Sequence, residues 1–147
     1  MRVWAGVMAA ALLASCQAQP ADPAVTGAWV RLPAVRENPG AAYFTLKGGK
    51  DADALVAVST PIAVRTELHE SMEGGETMMT MTPLKSAAFP AHGTLAFAPG
   101  SKHVMLFDVS PHVQPGDMVP LTLSLAGGRQ LQVQAKAVAA GDPAPKP

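Results

Sequence analysis

Apolar and polar residues alternate along this chain in short runs, and beyond the N-terminal stretch no ten residues keep the three-and-four spacing of an amphipathic helix. The runs fall at 26–32, 41–47, 54–58, 62–69, 78–81, 94–98, 103–109, 119–125 and 131–138. Turn formers separate them: Asn38-Pro39-Gly40, Gly48-Gly49, Gly74-Gly75, Pro99-Gly100, Pro115-Gly116 and Gly127-Gly128. This pattern predicts one all-β domain over 26–138, a sandwich or small barrel with antiparallel pairing and a Greek-key crossover.

Alternation also assigns faces. In 62–69, Ile62, Val64, Thr66 and Leu68 are expected to look inward, which leaves His69 on the wetter face at the strand's end. In 103–109, Val104 and Leu106 supply the core contact, so His103 and Met105 share the other face just after the Pro99-Gly100 turn. Met79 and Met81 share one face, while Met78 and Thr80 share the opposite one. Three segments can therefore bring His69, Met81, His103 and Met105 together.

The ends read differently. Residues 1–15 begin with Arg2 and continue as an apolar stretch too short to span a bilayer, the pattern of a secretory signal peptide. Leu13-Ala14-Ser15-Cys16 matches a bacterial lipobox and predicts lipidation of Cys16, with cleavage after Ala18 as the alternative. Residues 16–25 read as a tether and 139–147 as a disordered tail. A lipid on Cys16 is then the membrane contact expected, in the periplasm, of a domain read as a monomer.

Composition removes several function classes. Eleven Lys+Arg balance eleven Asp+Glu without a basic cluster, which argues against nucleic acid as a partner. Cys16 is the only cysteine, so no disulfide forms within one chain and a blue-copper site, which needs two histidines and a cysteine, is ruled out. No G-x-S-x-G or H-E-x-x-H signature is present, and the chain is not expected to be an enzyme.

Against that background the methionines stand out: Met72, Met78, Met79, Met81 and Met105, five of the chain's eight, lie in one stretch with His69 and His103. Methionine is ordinary core filler, and for one alone packing is the default reading. Two imidazoles among several thioethers suit copper(I), a soft ion, better than zinc, which would prefer the nearby glutamates. Met72 would be a further ligand or a cover, and Met78 and Met79 ligands or hydrophobic shielding. Glu67, Glu70, Glu73 and Glu76 could hydrogen-bond the imidazoles or simply be solvated. His92 and His112 sit in turns and are expected to be solvated.

Taken together, these residues resemble the PCuAC-type periplasmic copper chaperones. That family's motif is a histidine, a methionine about a dozen residues later, 21 intervening residues and His-x-Met; here His69, Met81 and His103-Val104-Met105 meet it. Ala28-Trp29-Val30-Arg31, Ala41-Ala42-Tyr43-Phe44-Thr45-Leu46 and Glu67-Leu68-His69-Glu70 add to the likeness. The resemblance implies a cupredoxin-like β-sandwich that binds one copper(I) per chain through His69, Met81, His103 and Met105. It further implies delivery to the CuA centre of cytochrome c oxidase, sometimes with a thioredoxin-like copper chaperone as partner. Copper sequestration needs the same site. The extra copper(II) site of some members rests on a tail rich in histidine and methionine, and residues 138–147 contain neither.

Overall fold

The computed structural model describes residues 18–74 and 78–146, with the side chains of all of these except 73, 74, 78 and 79. Residues 1–15, Cys16 and Glu76 thus lie outside the described residues, as do the side chains of Glu73, Met78 and Met79. Ten strands follow one another: β1 Ala24–Arg31, β2 Gly40–Lys47, β3 Asp53–Ser59, β4 Ala63–Gly74, β5 Met78–Leu84, β6 Ala87–Phe89, β7 Thr94–Phe97, β8 Lys102–Val109, β9 Met118–Leu125 and β10 Gln130–Val138. No helix occurs among the described residues.

The strands form a single sheet in the order β5-β4-β8-β7-β2-β1-β10-β9-β3-β6, with β8 also paired to β2. The sheet curls until Thr66 on β4 donates its hydroxyl to the Val58 carbonyl on β3, near the opposite end of that order. The result is an all-β, nearly closed barrel. Its interior is filled from alternating positions: Val30, Phe44, Leu46, Leu55, Val104, Leu106, Leu121 and Leu123 are all essentially inaccessible. Phe44 stacks on Phe97 at a centroid distance of 4.7 Å, and burying each such side chain contributes about 1.5–3 kcal/mol.

Most pairings are antiparallel, but β1 runs parallel to β10, with Trp29 opposite Lys136 and Arg31 opposite Val138. No hairpin constrains these two strands, because they come from opposite ends of the chain. The other exception is local. Strands β7 and β8 lie one after the other along β2, which pairs Phe44 with Phe97 and Ala42 with Val104. Gly100, at φ 78°, makes the offset between them, a conformation only glycine adopts without strain.

Other differences from the alternation pattern have physical causes. Strand β1 begins at Ala24, inside the segment read as a tether, because Ala24 and Val25 pair with Lys47 and Leu46 of β2. Strands β4 and β5 run on to Gly74 and Leu84 as one hairpin in which Glu70 pairs with Thr82 and Met72 with Thr80. Strand β6 is too short to show a period, yet Ala87 and Phe89 are buried. Val64 is not inward: it is 82% exposed. The β4–β8 ladder pairs Ala63 with Val109 and Arg65 with Phe107, and Asp108 between those two partners takes a left-handed backbone at φ 52°, a local break in the pleat where Val64 leaves the face of Thr66 and Leu68.

Residues 139–146 form no strand, although the Asp142 carbonyl accepts a hydrogen bond from the Arg31 guanidinium at 3.3 Å. Because Phe44 is 1% exposed and stacked, Phe44→Ala is expected to destabilise the domain by about 3–5 kcal/mol. Urea denaturation would read this as a lower midpoint at unchanged slope.

Candidate metal centre

The ladder between β4 and β8 pairs Leu68 with Val104, His69 with His103 and Glu67 with Met105. Directly opposed residues share a face, so His69, His103, Glu67 and Met105 all lie on the side of the sheet away from the Leu68 and Val104 core. Strand β5 adds Met81 opposite Ser71, on that same face and diagonal to His69. On the other flank, Ala41 lies opposite Met105. Three strands therefore bring His69, Met81, His103 and Met105 into one patch.

The face is not the wet one that alternation suggests. His69 is 8% exposed and His103 6%, the only buried polar or charged residues among those described. A second apolar layer lies outside the barrel beside them. Trp29, Tyr43 and Val138 form a small buried cluster joined by Ala41, with the two aromatic rings 4.4 Å apart. Ala41 stands opposite Met105 and so joins this layer to the strand that carries His103; the two imidazole centroids are 6.0 Å apart. Met105 is half-buried, while Met81, on the edge strand, is 55% exposed.

Each imidazole is hydrogen-bonded through one nitrogen only. His69 Nε2 lies 2.9 Å from Glu67 Oε2, and a carboxylate accepts, so Nε2–H is the donor. His103 Nδ1 lies 3.0 Å from the Ser101 carbonyl, and again the ring must donate. That carbonyl is fixed by the turn at Gly100 and also accepts from the Ser71 amide at 3.1 Å. In the neutral rings the remaining nitrogens, His69 Nδ1 and His103 Nε2, hold lone pairs. Both are buried and neither has a partner among the described residues.

Leaving a buried polar atom unpaired costs about 1–3 kcal/mol, and two at adjacent positions call for a reason. One metal ion would satisfy both, and thioethers are the other donors on this face. Among the described residues, no three His, Cys, Asp or Glu side chains gather as a metal site would need. Two imidazoles and two thioethers make a neutral, soft set of available donors, which suits copper better than zinc or calcium.

The other candidates fall elsewhere. Met72 pairs with Thr80, which puts it on the face opposite His69, and it is 56% exposed. Met79 stands opposite Glu73, at a register position on the His69 face; its side chain lies outside the description. Of the glutamates, Glu67 holds an imidazole, whereas Glu70 pairs with Lys102 at 2.8 Å on the other face. The signal that separates them is parity: Glu67 is two residues from His69 and Glu70 is one. His92 and His112 are exposed in turns, and His92 takes a left-handed backbone at φ 53°.

The chain matches the family described as "Putative lipoprotein LpqE-like" over residues 23–137. It is 31% identical over 107 residues to "Putative lipoprotein Lxx21020" of Leifsonia xyli subsp. xyli, a match spanning 71% of this chain and 62% of that relative's length. Among solved structures, the copper-bound PCuAC domain of PmoF2 superposes with a TM-score of 0.67 at 20% identity, covering 83% of this chain and 96% of that one. The copper(I) form of DR1885 from Deinococcus radiodurans superposes at 0.57 with 32% identity, covering 85% and 83% respectively.

Burial, with the nearby Arg65 charge second, lowers the His69 pKa below its ordinary 6.5. The unfolded chain then takes up this proton at a higher pH than the folded one. The contribution of His69 to stability is thus complete above pH 6.5 and lost as pH falls through the lower folded value. Metal-free protein is expected to lose urea midpoint on acidification from pH 7 toward pH 5, and His69→Gln to lose less across the same range.

Proposed function

Because the chain belongs to the LpqE-like lipoprotein family, of the PCuAC type, we propose that it is a periplasmic carrier of one copper(I) ion, bound by His69, Met81, His103 and Met105. The observation that supports this most directly is the pair of buried, unpartnered ring nitrogens, His69 Nδ1 and His103 Nε2, beside two methionines on the same face.

The chemistry of carriage follows from the donors. Two neutral imidazoles and two neutral thioethers stabilise copper(I) without the charge of a thiolate, so transfer to a cysteine-containing acceptor runs downhill. Met81, on the edge strand and 55% exposed, is the donor an incoming ligand can replace first. His103, tied to a backbone carbonyl, is the donor most firmly held. That gradient from exposed to buried suits stepwise exchange better than permanent sequestration, which needs every ligand enclosed. The acceptor we assign is the CuA centre of cytochrome c oxidase, directly or through a thioredoxin-like copper chaperone. Lipidation of Cys16 would keep the carrier at the membrane that holds such an acceptor.

The role is binding and transfer rather than catalysis. Among the described residues, the hydrogen-bond partners of the two imidazoles are a carboxylate and a main-chain carbonyl, and neither is a hydroxyl nucleophile.

Anaerobic titration of the protein with copper(I) against a competing chelator is expected to give one-to-one binding. His103→Ala and Met105→Leu should each lower affinity at least tenfold, about 1.4 kcal/mol. Thermal melting should rise with loading, by about 2.7 kcal/mol of stability at a free ion concentration 100 times the dissociation constant. If the wild type fails to compete with the chelator, a β-barrel that serves only as a protein-interaction module replaces this reading.

A further inference from the structure

Beside the copper donors runs a chain of contacts that the ligand set itself does not require. On β4, Arg65, Glu67 and His69 occupy successive positions of one face, opposite Phe107, Met105 and His103 of β8. The Arg65 guanidinium carbon sits 3.8 Å from the centre of the Phe107 ring, within the distance at which a cation is attracted to an aromatic face. Arg65 Nη1 donates to Glu67 Oε1, and Glu67 Oε2 accepts from His69 Nε2 at 2.9 Å. Each carboxylate oxygen therefore has its own donor, one on each side.

We infer that Glu67 is a positioning residue for His69, fixing which ring nitrogen is presented to copper, and that Arg65 braced on Phe107 holds Glu67 in place. The inference rests on the copper reading of the site. Its physical basis is that an imidazole can rotate and can carry its proton on either nitrogen, and the two choices present different atoms to a metal. A carboxylate at Nε2 settles both: the proton stays there, and Nδ1 is left as the lone pair in the buried patch. Such outer hydrogen bonds orient a ligand and raise its basicity, and losing one typically costs 10–100-fold in metal affinity.

The two histidines are held by unlike means. The partner of His103 is a main-chain carbonyl, which no side-chain substitution removes. The partner of His69 is a side chain that is 37% exposed, gripped by an arginine that is 54% exposed. Only the His69 side can thus be tuned by sequence without moving the backbone.

The test uses the whole protein and three variants, each checked for a native amide spectrum. In the metal-free wild type, ¹⁵N-resolved NMR is expected to show His69 as a single Nε2–H tautomer whose ring proton exchanges more slowly than that of exposed His112. In Glu67→Leu that protection should disappear and copper(I) affinity should fall about 10–100-fold. Glu67→Gln keeps an accepting oxygen but no charge, and should stay within about threefold of wild type. Arg65→Met, which retains packing on Phe107, should fall between them.

An Nδ1–H tautomer in the wild type would overturn the proposal, as would an unprotected ring proton. So would Glu67→Gln losing as much affinity as Glu67→Leu, since the effect would then be one of charge alone. Absence of copper(I) binding in a wild type with the protected Nε2–H proton would instead remove the functional reading and leave the hydrogen-bonded chain standing.

Discussion

Everything distinctive about this molecule hangs on the register between β4 and β8. That ladder sets His69 against His103, and because side chains alternate sides along a strand, a slip of one residue would send every donor of one strand into the barrel. The register is protected by the apolar residues between the donors: Leu68 and Val104 are paired and buried, and Leu106 is fully enclosed. The proposed metal patch thus borrows its precision from the core on the other side of the same two strands. Stability and site geometry are two readings of one pleated surface.

The outer face carries an apolar layer of its own. A sheet that met water on this side would leave the imidazoles hydrated and free to rotate. Instead Trp29 and Tyr43 extend an apolar layer across β1 and β2, and the Arg31 guanidinium lies 4.9 Å from the Trp29 ring centre. Low exposure makes an unpaired nitrogen costly, and it also strengthens whatever electrostatic or donor interaction finally satisfies it. Water is excluded around the two imidazoles and admitted at Met81. The difference in access between these donors comes from their strands' places in the sheet, since β5 is an edge and β8 is flanked on both sides.

Much of this was legible in the sequence, and the parts that were not share a cause. Period-two alternation located the long strands, and it put Val104 and Leu106 inward and His103 and Met105 on the opposite side. It could not find β6, whose three residues are too few to establish a period. It placed His69 on the outer face correctly but assigned that face to water, because alternation distinguishes two sides without saying what covers either. The covering residues, Trp29 and Tyr43, lie far off in sequence and arrive through β1 and β2. Val64 fails for a different reason: a left-handed Asp108 on the partner strand is a local backbone event that no hydrophobic pattern encodes. Parity alone could have chosen Glu67 over Glu70 as the imidazole's partner, since residues two apart on a strand share a side.

The parallel seam between β1 and β10 also governs how the chain can come to be folded. Strand β1 has β2 on one side from early in the sequence, but its other edge finds no partner until residues 136–138 exist. Until then the growing chain displays open strand edges, the templates on which unwanted pairing and aggregation begin. Closure is therefore a single late event joining the two ends of the domain, a contact of the longest sequence separation and so of slow formation. A chain cut short before β10 would lose more than one strand: it would leave β1 and β9 both unpaired on the sides where β10 belongs, dividing the sheet into a six-stranded piece and a three-stranded one.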